Sequence, residues 1–294
     1  MTFDEQMSYY KELVDNALDK YMVFPQLKQS RLFEAMKYSL KAGGKRIRPV
    51  LVFEFNKICS GKYESALPAA CAIEMMHTFS LIHDDLPCMD NDDMRRGGPS
   101  CHRAFDEATA LLAGDALEMY PFEVLTYSAN SGVSAENTLK MVRMLSWCAG
   151  AVGMIGGQQI DTEYEGQPFT EEDLIQMYRL KTSRLLQGAV CMGCLSAGAD
   201  DDAVKNAFDY ADRLGLAFQI VDDILDVCGD EKTLGKPIGS DKENNKTTYV
   251  TLVGLHNAKE KALLLTEEAL SILDKFENNQ FLKQLTSKLL NRNK

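Results

Sequence analysis

Two short acidic runs carry the most chemistry in this chain. The first is Asp84, Asp85 and Asp90, within the stretch from Ser80 to Asp93; the second is Asp222, Asp223 and Asp226, within Phe218 to Asp226. On a helix Asp222 and Asp226 share one face, with Gln219 a turn before Asp222. Both runs interrupt otherwise apolar helical patterns, where a carboxylate is costly without a counter-ion. No Lys, Arg or His occurs from Leu214 to Glu231, and only His77 and His83 occur from Glu64 to Met94. Two carboxylates about 4 Å apart repel by about 4 kcal/mol at an effective dielectric near 20. A solvated acidic surface explains most Asp runs, but it does not explain two of them on apolar helices. A hard divalent cation does, because Mg²⁺ pairs a few carboxylates with substrate phosphate oxygens.

Other metals fit poorly. A calcium loop begun at Asp90 places Arg95 where glycine belongs and Cys101 where a bidentate Glu belongs. His77 and His83 are six residues apart, which does not put two zinc ligands on one helical face. Cys191-Met192-Gly193-Cys194 is a lone CxxC in an apolar helix and reads as buried structural cysteine.

Phosphate chemistry also needs fixed cations, and these come in separate groups. Gly43-Gly44-Lys45-Arg46-Ile47-Arg48-Pro49 sets three cations on a glycine turn at a helix start, where backbone N–H groups and the helix dipole favour an anion. Arg95-Arg96 follows the first acidic run, either as internal salt bridges or as a bidentate phosphate clamp. Lys181-Thr182 and Arg184 lie inside a long helical segment. Gly235-Lys236 and Lys246 lie beyond the second run. Two acidic runs and several basic groups imply two diphosphates, one metal-bound and one held by side chains.

The elements that must position these groups are helical. Periodicity predicts helices over about 3–21, 28–42, 46–60, 64–86, 104–128, 134–155, 170–199, 201–228, 257–276 and 278–291, and no strand-like alternation. Thr170-Glu171-Glu172-Asp173 opens the longest with a capping-box pattern. Ala108–Leu117 and Leu185–Ala199 are apolar on more than one face, which predicts that other helices surround them. Glycines within helices (Gly114, Gly153, Gly188, Gly193, Gly215) imply either close packing or room for a ligand. With no Pro- or Ser-rich linker and no repeat, the 294 residues read as one all-α domain.

Composition narrows the partners. Apolar residues make up 45%, enough for a large core, and 32 Lys plus Arg against 43 Asp plus Glu leave a net charge of −11. An acidic surface argues against nucleic acid and anionic membranes. The N-terminus shows no signal-peptide pattern, and the apolar stretch at Leu185–Ala199 is too short to span a bilayer. Eight scattered cysteines suit a reducing cytoplasm.

Taken together, these residues resemble the trans-isoprenyl diphosphate synthases, most closely those of the bacterial farnesyl type. The resemblance runs from GGKRIRP through Glu74–His77, the DDxxxxD of Asp84–Asp90 with Arg95-Arg96, Gly156-Gly157-Gln158 with Asp161, Lys181-Thr182 and the FQxxDDxxD of Phe218–Asp226, to Gly235-Lys236 and Lys246. Asn91 stands where many members carry another Asp, between motif positions.

The resemblance implies an isoprenoid-synthase fold, a bundle of about ten helices around a central apolar pocket. It implies condensation of isopentenyl diphosphate with dimethylallyl or geranyl diphosphate to farnesyl diphosphate; a geranylgeranyl or geranyl product is the alternative. Asp84, Asp85, Asp90, Asp222, Asp223 and Asp226 would hold three Mg²⁺, or Mn²⁺ in their place. Arg95, Lys181, Lys236 and Lys246 would contact the allylic diphosphate. Lys45, Arg48, His77 and Arg96 would hold isopentenyl diphosphate, and Thr182 and Gln219 would face the carbocation. Phe79, with Ser80 beside it, is expected to limit chain length, and Pro87-Cys88 fits the same short-chain pattern. A homodimer is also implied. A terpene cyclase usually replaces the second acidic motif, and a non-catalytic subunit would lose a motif or the arginines; neither loss occurs here.

Overall fold

The computed structural model describes residues 1–164, 166–228 and 247–290. Its helices are α1 (Phe3–Tyr21), α2 (Ser30–Lys41), α3 (Ile47–Ile58), α4 (Tyr63–Asp84), α5 (Cys101–Ala104), α6 (Glu107–Thr126), α7 (Ala135–Ala149) and α8 (Met154–Glu163). They continue with α9 (Glu171–Tyr178), α10 (Arg184–Ser196), α11 (Asp201–Cys228), α12 (Tyr249–Val253), α13 (Leu255–Leu273) and α14 (Gln280–Leu290). The all-α expectation holds. The departures are a 3-10 turn at Tyr127–Ser131, a π-helical turn at Arg179–Ser183 and a small antiparallel hairpin. The hairpin pairs β1 (Met94–Arg95) with β2 (Gly98–Pro99), and two residues a side leave no alternation to read.

Local chemistry sets the boundaries. Thr2 and Glu5 form a capping box on α1, and Asp106 accepts from the Thr109 N–H to start α6. Thr170 accepts from the Asp173 N–H at 3.2 Å, as the sequence predicts. Such a cap contributes about 1 kcal/mol. The helix expected over 134–155 is in fact two, since α7 stops at Ala149 and Gly153 caps α8. The helix expected over 170–199 is interrupted by the π turn.

By packing, the chain divides into two compact units, Met1–Met144 with Cys191–Asp200, and Leu145–Val190 with Asp201–Lys294. In the first, α4 lies against α3 and α6. Its run of small residues, Ala66, Ala69, Ala70 and Ala72, is wholly buried, as are Ile73 and Met75. Each fully buried large aliphatic side chain contributes roughly 1.5–3 kcal/mol. By length and composition α4 could cross a membrane, but most of it is buried inside the protein. In the second unit α11 lies along α13 and beside the π turn.

The expectation of surrounded helices holds for α10, whose residues 185–196 are buried, and fails for α6. Ala110, Ala113 and Leu117 are buried, yet Leu111, Leu112 and Met119 are 46%, 55% and 67% exposed. An apolar face of α6 is therefore turned to solvent.

Candidate active site

The first acidic motif ends α4. Asp84 is the last helical residue, Asp85 caps it, and the Asp90 N–H donates to the Asp84 carbonyl at 2.9 Å. That bond folds the first and last aspartates of the motif into one turn. Asp85 is buried and accepts from Arg95 Nε at 2.9 Å and also from Arg95 Nη2. Burial raises the Asp85 carboxyl above the usual range, and the Arg95 guanidinium opposes the shift. For Arg95, then, the internal salt bridge is realised.

Arg96 does something different. It adopts a left-handed backbone (φ 54°), and its Nη1 donates to the Gly43 carbonyl. A Cβ on Gly44 would lie 2.9 Å from the Arg96 guanidinium carbon, so the glycine turn before α3 is what admits it. Of the cations on that turn, Lys45 is exposed, while Arg46 is buried and pairs with Asp15 (2.9 Å) and Glu74 (2.6 Å). Arg46 also donates to the Leu40 carbonyl at 2.7 Å, and these three bonds commit it to structure.

Arg48 is left under-compensated. Its Nε is buried without a hydrogen-bond partner. Burial lowers its pKa to about 10; Arg96 pushes the same way and Glu74 opposes. His77 on α4 titrates well below its ordinary range, first because of burial and then because Arg48, Arg96, Arg46 and Arg95 surround it. A neutral imidazole among arginines suits a highly charged anion, since Arg matches phosphate oxygens in bidentate fashion.

Farther along α4, Phe79 is buried and meets the His83 ring edge-on, with centroids 5.5 Å apart. His83 Nε2 lies 3.0 Å from the Leu111 carbonyl of α6. A Cβ on Gly114 would fall 2.0 Å from that same nitrogen, so this helical glycine provides clearance for His83. Ser80 Oγ donates to the His77 carbonyl at 2.9 Å, within its own helix.

In the second unit the site is built on the π turn. Extra π residues inside a helix frequently mark functional positions. Here they let consecutive side chains reach different helices. Lys181 pairs with Asp161 of α8, and Thr182 Oγ1 donates to Gln219 Oε1 of α11 at 2.8 Å. Two glycines make room for this wider turn. A Cβ on Gly157 would lie 2.3 Å from the Lys181 backbone nitrogen, and one on Gly215 would lie 2.3 Å from Ser183 Oγ.

The three aspartates of the second motif differ in surroundings. Asp222 is half-buried, whereas Asp223 and Asp226 are 4% and 3% exposed. Asp223 Oδ2 accepts from Tyr178 Oη at 2.6 Å and from the Tyr249 N–H at 2.8 Å. Tyr249 Oη in turn donates to Glu171 at 2.7 Å. Asp223 thus fastens the start of α12 to α11. Tyr178 and Tyr249 are the residues that sequence reasoning missed, because a tyrosine in an apolar helix is indistinguishable from a core aromatic. Lys236 and Lys246, with Gly235, lie outside the described residues.

Among the described residues, no three His, Cys, Asp or Glu side chains stand ready as a metal cage. The donor set still fits Mg²⁺. Asp84 and Asp90 in the first unit and Asp222 in the second each offer oxygen alone; Asp84 and Asp222 are partly exposed and Asp90 is exposed, and Mg²⁺ completes its octahedron with substrate phosphates and water.

The comparisons with known proteins agree with this chemistry. The polyprenyl synthetase family model matches residues 29–289. A farnesyl diphosphate synthase of Geobacillus stearothermophilus is 44% identical over 270 residues, 92% of this chain and 90% of that one. Among solved structures, an apo FPP/GFPP synthase from Zymomonas mobilis is similar with a TM-score of 0.88 at 33% identity, covering 98% of each chain. A geranyltransferase from Helicobacter pylori, complexed with magnesium and isoprenyl diphosphate, has a TM-score of 0.80 at 34% identity, covering 97% of this chain and 96% of that one.

Proposed function

Because the chain belongs to the polyprenyl synthetase family, we propose that it condenses isopentenyl diphosphate with dimethylallyl or geranyl diphosphate and releases farnesyl diphosphate. The single observation that carries this reading is the Arg48–His77–Arg96 cluster on the same helix-bounded unit as the first acidic motif. His77 and Asp84 are seven residues apart on α4, roughly 10 Å along the axis. That spacing suits an anion site beside a second, metal-assisted one.

The reading assigns isopentenyl diphosphate to Lys45, Arg48, His77 and Arg96. It assigns the allylic diphosphate to Arg95, Lys181, Lys236 and Lys246. Asp84, Asp90 and Asp222, with Asp226, would hold Mg²⁺, three ions by resemblance, which neutralises charge developing on the leaving diphosphate. Asp85 aims Arg95, and Asp223 braces α11 against Tyr178 and Tyr249. When the allylic C–O bond breaks, Thr182 and Gln219 present oxygens to the carbocation. Apolar walls keep water from capturing it. The isopentenyl double bond attacks, and one proton must leave. His77 is a poor acceptor among four arginines, so the proton goes to the released diphosphate.

The farnesyl product is favoured by the name of the Geobacillus relative, and a longer product is the alternative, in line with the FPP/GFPP synthase neighbour. We place the enzyme in a reducing cytoplasm, consistent with its eight free cysteines. We assign it a homodimeric state, for which the apolar face of α6 is the support. Incubation with isopentenyl and geranyl diphosphates and Mg²⁺ tests the function. A fifteen-carbon linear product is the expected result; a cyclised product or no elongation overturns it.

A further inference from the structure

We propose that Cys59 and Cys194 are a peroxide-sensitive thiol pair that closes reversibly into a disulfide, independently of the prenyl-transfer residues. Cys59 caps the C-terminus of α3 and is half-buried, while Cys194 lies near the end of α10 and is fully buried. Their sulfurs are 3.7 Å apart. A disulfide brings sulfurs to about 2.05 Å, so closure needs a relative movement of roughly 1.7 Å, within reach of side-chain rotation.

The backbone around the pair is already fixed. A Cβ on Gly193 would lie 2.5 Å from the Val52 carbonyl oxygen and 2.9 Å from Phe55 Cβ, so α10 rides directly on α3. Asn56 Nδ2 donates to Ser196 Oγ at 2.8 Å across the same interface. On α10 these contacts flank Cys194 in sequence, at Gly193 and Ser196, and on α3 they fall at Val52, Phe55 and Asn56, in the two turns before Cys59.

The remaining cysteines behave differently. Burial raises the thiols of Cys71, Cys101 and Cys148. Cys191 is buried within α10, and Cys88 and Cys228 are exposed. The hydrogen bond shared by the two thiols holds the Cys59 thiol below its ordinary range, against the opposing effects of burial and Asp200. Cys59 is the thiol of the pair that solvent reaches, while Cys194 is buried, and thiolate is the reactive form, so Cys59 is the entry point and Cys194 resolves.

The oxidant is hydrogen peroxide. The Cys59 sulfur attacks one peroxide oxygen, an S–O bond forms as the O–O bond breaks, and the sulfenic acid and one water result. The Cys194 sulfur then attacks the Cys59 sulfur, the S–S bond forms as the S–O bond breaks, and the Cys194 proton leaves with hydroxide as a second water. Two thiols are oxidised and both peroxide oxygens are reduced. A dithiol reductant reverses the change.

Arg48 lies eleven residues before Cys59 on α3, roughly 16 Å along the axis, which separates the pair from the anion cluster. The test treats the purified full-length protein with graded hydrogen peroxide, quenches it with an alkylating agent in denaturant, and maps peptides without reductant. The expected result is a Cys59–Cys194 cross-linked peptide that dithiothreitol releases. It should be absent from Cys59→Ser and, as a second variant, from Cys59→Ala. Recovery of both residues as alkylated thiols overturns the proposal. So does Cys59 as sulfinic acid beside an alkylated Cys194, or a cross-link to another cysteine.

Discussion

Asp84 and Asp222 share a residue type and an oxygen-only role, while Arg48 carries an unmatched cation. Removing each has a distinct consequence. Asp84→Ala or Asp222→Ala should abolish turnover and leave the helical circular dichroism unchanged, since each variant deletes a proposed metal ligand from a motif lacking nearby lysine or arginine on its own helix. Steady-state kinetics decides this, and activity within about threefold of the parent, less than one kcal/mol of barrier, would end the metal assignment. Arg48→Ala should raise KM for isopentenyl diphosphate far more than for geranyl diphosphate. One charge-assisted hydrogen bond is worth about 1.5–3 kcal/mol, on the order of ten- to a hundredfold. Equal increases for both substrates would mean that the two diphosphate sites are assigned the wrong way round.

Between elements, the π turn and the end of α4 matter most. Gly157→Ala would force a methyl group to within 2.3 Å of the Lys181 nitrogen. Overpacking of this kind costs about 1–3 kcal/mol, and here it also displaces Lys181 and Thr182. A fall in melting temperature together with a fall in kcat is expected; loss of stability with kcat intact would show that the turn tolerates the shift. Phe79→Ala should open space beside His83 and move products towards twenty carbons or more, at about 3–5 kcal/mol in stability. A folded, active variant that still stops at the parent's product would show that Phe79 does not limit the chain. The acidic motifs, Lys181-Thr182 and Gln219 were legible in the sequence because their charge or polarity interrupts apolar helices. The π turn was not, since the apolar pattern runs straight through it and one inserted residue leaves no mark in composition. The Arg95 salt bridge to Asp85 was one of two roles the sequence allowed, whereas the brace on Asp223 was hidden: its partners, Tyr178 and Tyr249, come from other helices and are chosen by tertiary packing.

For the whole molecule, the exposed face of α6 bears on assembly. Leu112 and Met119 are seven residues apart and so on one face, and both are more than half exposed. If the proposed dimer forms through this face, Leu112→Glu combined with Met119→Glu should shift sedimentation from dimer to monomer without unfolding the protein; an unchanged dimer would place the interface elsewhere, and a monomeric parent would overturn the dimer itself. The helical class was legible from periodicity alone, whereas the exposure on α6 was not, because an apolar helix face reads the same against its own chain as against a second copy.

The crowding of Arg48 and Arg96 around a neutral His77 has a consequence for the lifetime of the enzyme in a cell. Without substrate, the fold must hold these charges together against their mutual repulsion, and under the proposed assignment a bound diphosphate removes that burden as well as adding binding energy to the native state. The population of unfolded chains open to proteases therefore rises and falls inversely with substrate supply. Starvation for isopentenyl diphosphate would thin the enzyme pool through degradation, with no dedicated regulatory domain involved.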